Sequence, residues 1–77
     1  MLTGEQIRAA RALLRLDQAE LAHQSGTSLP TIKRLEKMDG VVASQIRTVQ
    51  AIINALEAAG VEFIPENGGG PGVRLRK

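Results

Sequence analysis

Cysteine, tryptophan and tyrosine are absent from this 77-residue chain, which holds one phenylalanine and one histidine. Without cysteine there is no disulfide and no thiolate metal site. His23, standing alone, rules out a multi-histidine metal site. No run approaches the roughly 18 apolar residues of a membrane span. Met1-Leu2-Thr3-Gly4-Glu5 lacks the basic start and apolar stretch of a signal peptide. The length admits one domain and not two. A chain of this size buries only about 60% of its unfolded surface, and small scaffolds usually add disulfides, a metal or a partner subunit. With the first two excluded by composition, a homodimer is the expectation.

The formal charge is only +2, but it is unevenly placed. Met1 to Met38 carries six Lys/Arg against four Asp/Glu, Asp39 to Glu66 one against four, and Asn67 to Lys77 three against none. Two basic ends therefore flank an acidic middle.

Four helices are predicted. Thr3-x-x-Gln6 has the spacing of a capping box, in which side chains at the helix start satisfy each other's backbone N–H groups. Ile7, Ala10, Leu13 and Leu14 then recur at helical spacing as a core face. Arg8, Arg11 and Arg15 form a basic stripe on another face. Asp17-x-x-Glu20 starts a second, short helix, and Gly26 after Ser25 supplies the left-handed exit. Ser28 caps a third helix, with Pro30 in its first turn and Ile32 and Leu35 inward, running to about Met38. After a connector from Asp39 to Ala43, Ser44 is expected to cap the fourth and longest helix. Its face is Ile46, Val49, Ile53 and Leu56, with Ile52 beside it, and Gly60 ends it.

The period then changes. Val61-Glu62-Phe63-Ile64 is rich in strand formers and is stopped by Pro65, while Val73-Arg74-Leu75-Arg76 alternates at period 2. The glycine-rich run Asn67 to Gly72 reads as a connector between strands. It does not stand between a strand and a helix with a following lysine, as a phosphate-cradling loop requires. Domain boundaries of 1–60 for the helical part and 61–77 for a C-terminal β segment follow.

The stretch from Gln18 to Lys37 is the most informative. Two short helices are joined by a turn holding Gly26, and Ala22 is small enough to let them cross closely, as a helix-turn-helix needs. Asp17-Gln18-Ala19-Glu20-Leu21-Ala22, Ser25-Gly26-Thr27-Ser28 and Thr31-Ile32-Lys33-Arg34-Leu35-Glu36 together resemble the lambda-repressor-like (Cro/XRE-type) DNA-binding domain. The resemblance covers roughly Glu5 to Ala59. It implies a mostly α fold, a four-helix helix-turn-helix domain, here with a short C-terminal β-hairpin or inter-subunit strand pair where relatives carry a fifth helix. It also implies double-stranded DNA as partner, with the third helix in the major groove. Gln18, Thr27, Ser28, Lys33 and Arg11 are then candidate phosphate contacts, with Arg11 paired to Glu36. Arg34, Leu29, Pro30 and Thr31 are candidate base contacts, Arg34 by the bidentate geometry that reads guanine. Ser25 departs from the pattern, being polar where the family usually places an apolar residue. His23 reads as an exposed bystander. Arg74, Arg76 and Lys77 form either a solubilising tail or added phosphate contacts.

Ile52, Leu56, Val61, Phe63, Val73 and Leu75 are the candidate dimerisation residues, with the strands pairing between subunits and Glu62 facing Arg74. The leading functional reading is a homodimeric, sequence-specific transcriptional regulator on a pseudo-palindromic operator. It would be cytoplasmic in a bacterium and nucleoid-associated when bound. The alternative is an antitoxin or co-regulator whose β segment binds a protein partner. Catalysis is not expected, because Asp17, Glu20 and Glu36 already have places in the helix pattern, no metal-ligand cluster exists and the chain is too short to wall a sizeable pocket. No cofactor is expected, and no membrane association, since no apolar run is long enough to span.

Overall fold

The computed structural model describes residues 2–66 and 68–76. Asn67, expected in the connecting loop, and Lys77, expected in the basic tail, lie outside the described residues, as does Met1. The chain runs α1 (Gly4–Leu14), α2 (Gln18–Ser25), α3 (Leu29–Glu36), α4 (Ile46–Ala59), β1 (Val61–Ile64) and β2 (Gly72–Leu75). This is the expected mostly α fold with a two-stranded sheet at its C-terminal end.

Local chemistry sets the helix starts. Thr3 and Gln6 exchange side-chain-to-backbone hydrogen bonds of 3.0 and 2.9 Å, and Asp17 and Glu20 do the same at 2.7 and 2.9 Å. Each box satisfies two N–H groups that a helix start would otherwise leave without partners. Ser28 accepts from the Thr31 backbone at 3.3 Å. α3 stops at Glu36, two residues short of Met38. Lys37 and Met38 bond back to Arg34 and Leu35, the tighter three-residue pattern with which helices commonly close.

The start of α4 corrects the sequence expectation. Gln45, not Ser44, is the N-cap residue, and its side chain makes no capping bond. Its extended backbone (φ −64°, ψ 143°) places the first helical residue at Ile46. The connector before it is held from a distance: the Val42 N–H donates to Leu2 O at 2.9 Å, and Thr3 bridges Val41. That pairing draws Leu2 and Val42 into the core, where they join Ile7, Ala10, Leu21, Ile32, Leu35, Ile52, Leu56 and Val61. Leu13 does not join them. It is 40% exposed while Leu14 packs against the core.

β1 and β2 pair antiparallel with Val61 opposite Leu75, Glu62 opposite Arg74 and Phe63 opposite Val73. The second strand begins and ends one residue earlier than the alternation suggested. The Gln6 side chain donates to Gly72 O at 2.9 Å and so ties the hairpin to α1. Arg74 donates to both carboxylate oxygens of Glu62, at 3.1 and 3.2 Å. These hydrogen bonds, reinforced by the Arg74 charge, hold the Glu62 carboxyl below its ordinary 4.5. A carboxyl depressed in the folded state stabilises above its unfolded value and loses that contribution as pH falls through the folded value. A carbon-13 titration of the Glu62 carboxyl is expected to show a midpoint below 4.5 that rises in Arg74→Ala. The effect on stability is small because both side chains are in water.

One glycine is fixed by packing. A Cβ on Gly4 would stand 2.7 Å from Leu35 O, 2.9 Å from Met38 O and 3.1 Å from Glu36 O. The first turn of α1 therefore lies directly against the last carbonyls of α3, and backbone cannot step aside as a side chain would. Gly4→Ala is expected to cost about 1–3 kcal/mol as an overpacking substitution, read as a lower thermal midpoint with unchanged helix content by circular dichroism. A midpoint equal to the parent's would contradict this packing.

Candidate nucleic-acid interface

The turn between α2 and α3 is built by hydrogen bonding. Gly26 adopts φ 67°, ψ 24°, a conformation open to glycine without strain. Its N–H bonds back to Ala22 and His23, and the Thr27 N–H reaches Ala22 O at 3.0 Å. The paired bonds make the closed exit that turns the chain sharply into α3. Ala22, Leu21, Ile32 and Leu35 are buried between the helices, as a close crossing requires. Ser25, the polar departure, donates its hydroxyl to Leu21 O at 2.7 Å, so it enters the turn with its polarity satisfied.

Glu36 is the centre of the site. Its side chain is 3% exposed, yet it is fully partnered. Arg11 donates Nε to Oε2 at 2.6 Å and Nη2 to Oε1 at 2.8 Å, the parallel two-bond geometry of guanidinium on carboxylate. Gln18 Nε2 donates to the same Oε1 at 3.1 Å. The third arm of Arg11, Nη1, donates to Leu16 O at 3.0 Å. Arg8 donates to Glu36 O, a carbonyl at the end of α3 that lacks a helical partner. The bonds to Glu36 hold the Arg11 guanidinium above its ordinary value. They outweigh the opposing effect of partial burial, and the charges of Glu36 and Asp17 add to them. One buried carboxylate thus fixes α1, the start of α2 and the end of α3 relative to one another.

The expected site residues fall into three groups. Lys33 and Arg34 are exposed on α3, and neither side chain has an intramolecular polar partner among the described residues. Pro30 is exposed at the second position of that helix. Gln18 stands at the first residue of α2, where backbone N–H groups and the helix dipole favour an anion. One of its amide hydrogens is engaged by Glu36, and the other remains to donate. Ser28 is exposed and Thr27 half-buried; Ser28 and Thr31 share a 2.8 Å hydroxyl–hydroxyl bond, so those two move as a unit. Leu29 does not project freely as expected. It is half-buried and packs on the core, because the first residue of α3 also closes the turn.

The expected dimerisation set is corrected in part. Ile52, Leu56 and Val61 have 0% exposure and are core residues, so they offer no surface to a partner. The two strands pair with each other inside one chain. Phe63 and Val73 are half-buried, and Leu75 is 52% exposed. Sequence reasoning missed two contributors. Gly4 gave no signal, since a glycine in a first turn reads as neutral. The Gln18 to Glu36 bond was hidden because Gln18 already had a reading as a phosphate ligand. Among the described residues no helix is long and apolar enough to cross a membrane.

A comparison with curated proteins returns no match. A profile of the helix-turn-helix family matches residues 7–63, spanning α1 through most of β1. The chain is thus a member of the Cro/C1-type, lambda-repressor-like helix-turn-helix family of DNA-binding regulators.

Proposed function

We propose that this protein is a sequence-specific transcriptional regulator that binds a pseudo-palindromic operator as a homodimer. α3 enters the major groove. Arg34 reads a guanine through O6 and N7, the commonest bidentate base contact. Lys33 meets phosphate as a point charge, and Pro30 lies where a thymine methyl can touch it. Gln18 and the N-terminal N–H groups of α2 hold one phosphate, Thr27 and Ser28 at the turn before α3 meet another, and together they set the depth of α3. Arg11 contributes through Glu36 and not by touching DNA itself, since three of its nitrogens are already engaged.

The observation that carries this reading is the Glu36 hub. It holds the phosphate-binding start of α2 rigidly against the helix whose outward face bears Lys33 and Arg34. Selection of duplexes from a random library at fixed salt tests it. The expected product is a two-fold symmetric site with half-sites about one helical turn apart. Enrichment of no sequence would overturn it. A second reading, a co-regulator that grips a protein through the hairpin, is supported by the exposure of Leu75. In that case the hairpin variant Leu75→Lys would abolish function while leaving duplex selection unchanged.

A further inference from the structure

Gln6 does two jobs where a helix cap needs one. A capping box asks its third residue only for an acceptor, and glutamate serves as well as glutamine. Glutamate also brings a charge that the N-terminal helix dipole favours. α2 follows that rule: Glu20 is exposed, and its side chain accepts from the Asp17 N–H and makes no other hydrogen bond among the described residues. α1 departs from it. Gln6 is 5% exposed. Its Oε1 accepts from the Thr3 N–H at 2.9 Å, and its Nε2 donates to Gly72 O at 2.9 Å, 66 residues along the chain. A carboxylate of the same length fills the first role and not the second, so the pair of bonds requires the amide.

The two bonds lead in opposite directions. On one side lies β2, which is pinned at both ends. Gly72 at its start is held by Gln6 of α1. Just past its end, the Arg76 N–H donates to Gly60 O at 2.8 Å and the Arg76 guanidinium to Glu57 O at 2.7 Å, in the last turn of α4. The hairpin is therefore a strut between the end of α4 and the start of α1. On the other side lies the end of α3. Thr3 bridges Val41, in the connector that leaves α3. Gly4 follows Thr3, and a Cβ there would stand within 3.1 Å of the carbonyl oxygens of Leu35, Glu36 and Met38. In that same stretch Lys37 and Met38 close α3 by donating to Arg34 O and Leu35 O. Arg34 thus belongs to the turn against which the start of α1 is set.

We infer that Gln6 is a positioning residue of the DNA reader: through it the hairpin holds the start of α1 against the last turn of α3 and so fixes where Arg34 stands. The inference rests on the operator-binding reading for its effect on DNA. The contact between Gly4 and α3 is backbone on backbone, so it transmits a shift that flexible side chains would absorb. With the tie cut, no side-chain hydrogen bond joins α1 to the hairpin among the described residues. The last turn of α3 then rests on a looser wall. Gln6 is buried and touches no DNA, so its loss weakens binding without changing which base is preferred.

Gln6→Glu is the direct test, because it keeps the acceptor of the capping box and removes the donor to Gly72 O. Gln6→Met, similar in length and uncharged, carries the test should the buried carboxylate prevent folding. Both measurements use the full chain, at a temperature where circular dichroism shows parent and variant folded. Amide hydrogen exchange of the free protein is expected to quicken by a larger factor at Lys37 and Met38 than in the middle of α4. Affinity for the selected operator is expected to fall about 3- to 30-fold, the range for residues that modulate a site without touching its ligand, with base preference unchanged. A residue of purely structural importance would lower the thermal midpoint, quicken the amides that report global opening, and leave the affinity of the folded protein where it was. That result overturns the inference, as does exchange at Lys37 and Met38 equal to the parent's. The two readings fail separately. If the parent selects an operator and both variants bind it within about twofold of the parent, the inference falls and the operator reading stands. If no duplex is ever selected, the operator reading falls, and quickened exchange confined to the end of α3 leaves the hold of Gln6 on that helix standing.

Discussion

Glu36→Ala is expected to lower the thermal midpoint by about 8–32 °C. Removing one partner of a buried ion pair costs about 3–5 kcal/mol, because the charge left behind loses its compensation. Arg11 keeps 20% of its side chain in water, which moderates the loss to about 2–4 kcal/mol. A domain of this size shifts its midpoint by about 4–8 °C per kcal/mol. Gln18 loses an acceptor in the same stroke, so the start of α2 loosens with the rest. A melt followed by circular dichroism measures the shift, and a variant melting within about 3 °C of the parent would show that the hub is not structural. Replacing both partners, as Arg11→Met with Glu36→Leu, separates stability from function. Apolar residues of similar volume can restore stability where a half-removed pair cannot. The double variant is therefore expected to recover most of the midpoint. Operator affinity should stay low, because Gln18 still has no anchor. Such a split would identify the hub as a positioning device for DNA binding as well as a staple.

The parts of this fold that the sequence disclosed are those decided within a few residues. Thr3 with Gln6, Asp17 with Glu20, Gly26 after Ser25 and Ser28 before Pro30 are closed local circuits, and all stand where spacing put them. The parts it concealed are set by distant partners. Ser44 looked like the better cap, but the connector is pinned by Leu2 and Thr3, forty residues away, and that fixes the start of α4 at Ile46. The α4 pattern was too generous: Ile46, Val49, Ile52, Ile53 and Leu56 cover more than one face, and only the position of β1 and α2 decides which part is inside. Leu56 went to the core as its place on the face implied, Ile52 joined it from beside that face, and Ile46 went to the surface against the assignment periodicity favoured. Of the site, the Arg11–Glu36 pair and the cations of α3 were legible through family resemblance. The inward turn of Leu29 and the tether on Gln18 were not, since each depends on a contact between helices.

Arg34→Ala is expected to weaken binding to the selected operator by about 1–3 kcal/mol, or roughly 5- to 150-fold, and to abolish preference at one base pair in each half-site. The size follows from losing two hydrogen bonds to a guanine edge in a groove from which water has been displaced. Binding to unrelated duplexes should fall far less, by the share of a single cation. Lys33→Ala is expected to behave oppositely. Its loss should be nearly uniform across sequences and reduce the slope of log affinity against log salt by about one. Gln18→Ala should resemble Lys33→Ala in being indifferent to sequence, but with little change in salt slope, since an amide neutralises no phosphate. Titrations of the parent and three variants against operator and scrambled duplex, at several salt concentrations, resolve these signatures. If Arg34→Ala leaves site preference untouched while Lys33→Ala erases it, α3 is rotated in the groove by about one residue from the register argued above. If neither changes preference, α3 is not the element that reads the bases.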